Sequence, residues 1–117
     1  MSNRLMPADF ETEVLTVLQR AAREPGNPRA GLTSYQILDR LPSPIRDRAI
    51  AERGAPGTGA GSGYSSASLI QSAAKRLVDG GQARFIGWLD TRGLTFRVAG
   101  RQFTASIERV GLWRALD

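Results

Sequence analysis

The chain contains no cysteine and no histidine. Without cysteine there is no disulfide framework and no thiolate metal site. Without histidine the commonest metal ligand and the commonest general base are both missing. Zinc fingers, Ser-His and Cys-His hydrolases and zinc deaminases are thereby excluded. Lysine is nearly absent as well: of 16 basic residues, only Lys75 is not arginine. No window approaches the roughly 18 consecutive apolar residues of a membrane span. Residues 1–10 show no basic stretch followed by an apolar run. The expectation is a cytoplasmic protein without a membrane partner. The carboxylates are few, scattered and mostly near arginine, with no pair placed for acid–base chemistry. No enzymatic activity, no cofactor and no metal are expected.

What is present fits one domain spanning 1–117, with 41% hydrophobic residues to form its core. The 16 basic side chains against 11 acidic ones give a net charge of +5. Arginine offers a planar fork of donors that matches phosphate and base edges. A GC-rich coding genome also favours arginine, so nucleic acid is the leading partner class rather than a conclusion.

Four helices are legible. In the first, Asp9 is placed to cap, Glu11 and Glu13 lie in the first turn, and Arg20 and Arg23 lie near the end. Phe10, Val14, Val17, Leu18 and Ala21 fall on one stripe, and Pro25-Gly26 ends it. Thr33 and Gln36 form a capping-box pattern for a short second helix, which Pro42 stops. Ser43 and Pro44 open a third, with Ile45, Ala49 and Ile50 on its apolar face and Gly54 at its end. Residues 54–63 read GAPGTGAGSG, a composition that suits a flexible connector. It precedes a helix but has neither a P-loop lysine nor the spacing of a dinucleotide fingerprint. In the fourth helix Ser68 and Gln71 again suggest a capping box, with Ser65 or Ser66 as alternative caps. Leu69, Ile70, Ala73, Ala74, Leu77 and Val78 form its apolar face, and Gly80-Gly81 terminates it.

From residue 83 the pattern turns to strands. Residues 83–89 are rich in aromatic and β-branched types, 90–93 read as a turn, and Leu94, Phe96 and Val98 alternate with polar neighbours. Gly100-Arg101 marks a second tight turn, followed by alternating Phe103, Ala105 and Ile107. Val110, Leu112 and Trp113 suit a closing strand, although Gly111 weakens that assignment.

The order of elements resembles the winged helix-turn-helix superfamily. The residues carrying the likeness are 32–41, which read LTSYQILDRL, then 68–81 with its closing phrase Lys75-Arg76-Leu77-Val78-Asp79-Gly80-Gly81, then Arg84-Phe85-Ile86. The resemblance implies an α+β winged fold, four helices followed by a β-hairpin or a three-stranded antiparallel sheet. It implies that Ser66, Ser68, Gln71, Ser72, Lys75 and Arg76 belong to a DNA-reading helix. It also puts Arg92 at a wing tip, with Arg84 and Arg97 on flanking strands. One departure stands out: residues 42–65, with a whole extra helix, replace the short turn between the two reading helices.

Two functions follow. The first is a small regulator binding double-stranded DNA through helix 66–79 and a basic hairpin 84–97, without cofactor or metal. The second is an adaptor on the same scaffold, binding a protein partner or a second copy. The chain also looks like small accessory proteins of bacterial mobile elements or phages. Tyr64, Phe85, Trp88, Phe96, Phe103 and Trp113 are candidates for stacking on bases, although alternating aromatics more often pack a sheet. Trp113, near the terminus, is also a candidate self-association surface.

Overall fold

A computed structural model describes residues 6–24, 31–54, 56, 65–92, 94–104 and 109–116. It is an α+β fold of four helices and small antiparallel sheets. A 3-10 turn, Pro7–Phe10, leads into α1, Glu11–Ala22. Asp9 therefore sits before α1, and its carboxylate accepts the Met6 N–H at 2.7 Å instead of capping the helix. The expected apolar stripe is buried, from Phe10 to Ala21. The Pro25-Gly26 stop falls outside the described residues.

The capping box before α2, Ser34–Arg40, forms as expected. Gln36 N–H donates to Thr33 Oγ1 at 3.2 Å, and Thr33 N–H to Gln36 Oε1 at 2.9 Å. In α3, Ser43–Arg53, the cap is Pro42 and not Ser43, which is already helical. Gly54 follows α3, and its carbonyl accepts the Ser66 N–H at 3.2 Å, which closes the base of the glycine-rich insertion. Apart from Gly54 and the buried Pro56, that stretch lies outside the described residues, as does Tyr64.

The last helix, α4, runs Ser66–Asp79. Its cap is Ser65, whose hydroxyl accepts the Ser68 N–H at 3.2 Å, so the Ser68–Gln71 box does not form. Ala67, Leu69, Ile70, Ala73, Ala74 and Leu77 are buried, and α4 packs against α1, α2 and α3. The Gly80-Gly81 stop holds: Gly81 N–H returns to Val78 O at 3.0 Å and Gln82 N–H to Leu77 O at 2.8 Å.

Four strands follow: β1 Ala83–Asp90, β2 Thr95–Val98, β3 Arg101–Thr104 and β4 Arg109–Ala115. The pairing corrects the expected 84–97 hairpin. β1 pairs antiparallel with β4, from Ala83↔Ala115 to Asp90↔Arg109, while β2 pairs only with β3. Arg92 is accordingly not a wing tip, because the chain continues beyond it into the β2–β3 hairpin. Two contacts draw that hairpin onto α2. Phe96 stacks on Tyr35 with ring centroids 4.6 Å apart, an arrangement worth about 0.5–1.5 kcal/mol beyond burial. Asp39 accepts the Ala99 N–H at 3.0 Å. The closing strand anticipated at the C-terminus is β4. Its far edge bridges Leu32, with Leu32 N–H to Trp113 O at 2.8 Å and Trp113 N–H to Leu32 O at 3.0 Å.

The β2–β3 turn places Ala99 at φ 53° and Gly100 at φ 80°. Two consecutive positive φ values are the mark of a two-residue hairpin turn whose preferred sequence is Asn-Gly. Alanine pays a steric cost there that asparagine reduces. Ala99→Asn is expected to raise unfolding stability by about 0.5–1 kcal/mol, read from the midpoint of urea denaturation.

Candidate nucleic-acid interface

The outer side of α4 carries most of the residues expected to read DNA. Ser72, Lys75 and Arg76 are exposed, and Ser68 and Gln71 are partly buried. Arg76 is not free: its Nε lies 3.3 Å from a Glu11 carboxylate oxygen. Ser68 Oγ lies 3.3 Å from Ser65 Oγ, within the cap. Ser66 is a correction, being 0% exposed, with a hydroxyl that has no hydrogen-bond partner. Because Ser65 is the cap, Ser66 begins the helix on its inward side and cannot face a groove.

Gln71, Lys75, Val78 and Asp79 follow the 3–4 spacing of one helical stripe. They form one wall of a cleft of about 220 Å³, whose other wall is Phe85, Trp88 and Trp113. Residues three apart on a regular strand point to opposite faces. Phe85 and Trp88 nevertheless share one, because the register shifts by a residue between Phe85 and Gly87. Phe85 stands opposite Trp113, and Trp88 opposite Gly111. The Phe85 and Trp88 rings meet edge to face at 5.1 Å. Trp113 is 2% exposed, whereas Phe85 is 38% and Trp88 50% exposed. Burial overturns Trp113 as a self-association surface and turns attention to Trp88.

Trp88 also borders a second hollow of about 310 Å³, with Asp90, Arg92 and Arg109. The Arg109 guanidinium lies 4.4 Å from the centre of the Trp88 ring, a cation–π contact. Arg92 Nε and Nη2 grip the Asp90 carboxylate at 3.1 and 2.7 Å, and the Arg92 N–H donates to it at 2.9 Å. These bonds, the side-chain ones foremost, hold the Asp90 carboxyl below its ordinary range.

The structure does not bring all the expected residues together. Arg84 stands opposite Arg114 on the ladder and alternates away from Phe85, so it faces away from the cleft. Arg97, exposed on β2, belongs to the separate hairpin with Arg101. Among the described residues, Lys75, Arg84, Arg97, Arg101, Arg109 and Arg114 have no carboxylate partner. Sequence reasoning did not single out Arg109, Arg114 or the exposure of Trp88. Residues 83–89 read only as a stretch rich in aromatic and β-branched types, and nothing local announces the bulge at Ile86. No cluster of three or more acidic side chains among the described residues could hold a metal ion. No helix among them is long and apolar enough to cross a membrane. No family model, no curated protein and no solved structure matches this chain.

Gly111 makes the aromatic wall possible. A Cβ there would fall 2.5 Å from Trp113 Cη2 and 3.0 Å from Phe85 Cε1. Gly111→Ala is expected to destabilise the fold by about 1–3 kcal/mol and to shift the near-ultraviolet circular dichroism of the tryptophans. A second expectation concerns pH. A carboxyl whose folded pKa is depressed contributes stability above its unfolded pKa, and this contribution is lost as pH falls through the folded value. Carbon-detected titration is expected to place Asp90 below the ordinary range of an aspartate. Arg92→Ala returns it to the ordinary range and removes its share of the acid-side loss of stability.

Proposed function

We propose that this protein is a winged-helix type DNA-binding regulator that docks α4 against duplex DNA and uses strand arginines on the backbone. The observation that carries the reading is the charge distribution. Residues 65–117 hold one lysine and seven arginines against three aspartates and one glutamate, which is +4 of the net charge of +5. Asp90 is already engaged by Arg92. The part of the chain that forms α4 and the strands therefore carries most of the net positive charge, which attracts a polyanion and releases its counterions on contact.

Geometry supports the same partner. With 14 residues, α4 is about 21 Å long at 1.5 Å per residue, and a helix of ordinary diameter fits the major groove of B-DNA. Its outer side offers Gln71, Ser72 and Lys75, side chains able to donate to base edges or phosphates. Helices followed by an antiparallel β1–β4 pair, with the β2–β3 hairpin between its two strands, are compatible with the winged-helix likeness. The direct packing of α2 on α4 also agrees, since the insertion between them does not part the two.

Fluorescence anisotropy with a labelled duplex across a salt series tests the reading. Affinity is expected to fall steeply with salt, and Lys75→Ala to weaken binding and lower the log–log salt slope by about one. Ser66→Ala, on the buried side, is expected to leave affinity unchanged. Absence of binding at low salt would falsify the proposal.

A further inference from the structure

We infer that the cleft between α4 and β1 is a stacking site for an unpaired nucleobase, with Trp88 as its platform. The inference rests on the nucleic-acid reading and narrows its target to duplexes that carry an unpaired base, or to single strands.

The protein buries its apolar side chains widely, including Trp113, yet leaves Trp88 half exposed and Phe85 more than a third exposed on the same strand. The bulge brings these two rings side by side, with a third aromatic ring, Trp113, behind them. At about 220 Å³ the cleft is smaller than the roughly 300–1,000 Å³ of sites for drug-sized ligands. A single planar heterocycle suits that scale, and a paired duplex does not. Val78 and the aromatic rings give the cleft apolar walls, while Gln71, Lys75 and Asp79 put donors and acceptors on it. A nucleobase brings both a π-face for the walls and ring acceptors for such donors.

The surroundings select a nucleic acid over other apolar occupants. Trp88 borders both hollows, and the outer one holds, beside the Asp90–Arg92 ion pair, Arg109, a cation suited to the phosphates that flank an inserted base. A second copy of this chain would bring a further charge of +5 to the same face. An intact duplex keeps its base faces covered, so only an unpaired nucleotide can offer one.

The test uses the whole chain with three labelled probes: a perfect duplex, the same duplex with one unpaired thymine, and oligothymidylate. The thymine-bulged duplex is expected to bind about five- to a hundredfold more tightly than the perfect one, and to quench tryptophan emission. Trp88→Ala is expected to abolish both the preference and the quenching. Trp88→Phe, which retains a ring, is expected to keep part of the preference. Equal affinity for perfect and bulged duplexes, without quenching, overturns the base site and leaves the duplex reading standing. No binding of any probe at low salt overturns both. Self-association in sedimentation that Trp88→Ala removes assigns the face to a second copy and overturns the inference.

Discussion

Trp113 exchanges both of its backbone hydrogen bonds with Leu32 on one edge of β4 and stands opposite Phe85 on the other. That single position joins the last strand to the segment that opens α2. Leu32 immediately precedes the Thr33 cap, so the bridge fixes where α2 begins. Through Tyr35 and Asp39, α2 then determines where the β2–β3 hairpin lies. On the other side Phe85 fixes the register of β1, and β1 follows directly from the end of α4. The indole is buried between these elements and fits only because residue 111 lacks a side chain. A buried ring of this size, held against residue 111 and Phe85, cannot shift without moving its neighbours. Placement of the outer side of α4 relative to the strands thus depends on β4, the last element in sequence.

The insertion between α2 and α4 looks disruptive in sequence and is accommodated locally. Gly54 and Ser66 meet through one backbone hydrogen bond, so the chain leaves and returns at nearly the same point. Loop-closure cost grows only slowly with length, and a loop whose ends meet perturbs its surroundings little. α3 contributes Ala49 to the core and otherwise covers the surface. The two helices of the expected reading unit still pack directly on each other.

Local signals were the legible part of this fold. Thr33 and Gln36 announced α2, Gly80-Gly81 ended α4, and the 3.6-residue spacing picked out nearly every buried residue of α1 and α4. The serine run 65–68 shows how narrow that legibility is. Moving the cap to Ser65 settles which way Ser66 faces, and Ser66 passes from a groove contact to the core. Strand pairing was not legible, because it depends on contacts far apart in sequence. Residues 95–98 alternate as well as any partner of β1 would, yet Tyr35 and Asp39 claim them for α2. Alternation could not reveal the bulge at Ile86 either, and with it the shared face of Phe85 and Trp88. Of the candidate site, the face of α4 could be read in outline, but the cleft beside it could not.

The Arg84–Arg114 pair bears on why the fold tolerates its own charge. Like charges directly opposite each other on an antiparallel ladder destabilise it. Neither guanidinium has a carboxylate partner among the described residues, unlike Arg92, whose turn is neutralised by Asp90. A sequence selected for stability alone would place an acid in one of the two positions, as it does at the other end of the same ladder, where Asp90 faces Arg109. Departures from local rules concentrate where function demands them. In the nucleic-acid reading, a phosphate between two arginines turns their repulsion into a pair of attractions, so the free protein bears a strain that the complex relieves. The exposure of Trp88 follows the same logic: apolar surface left in water is recovered when a base covers it. On the proposed reading the two features serve one class of partner from opposite faces of the β1–β4 ladder, a phosphate at the arginines and a base at Trp88.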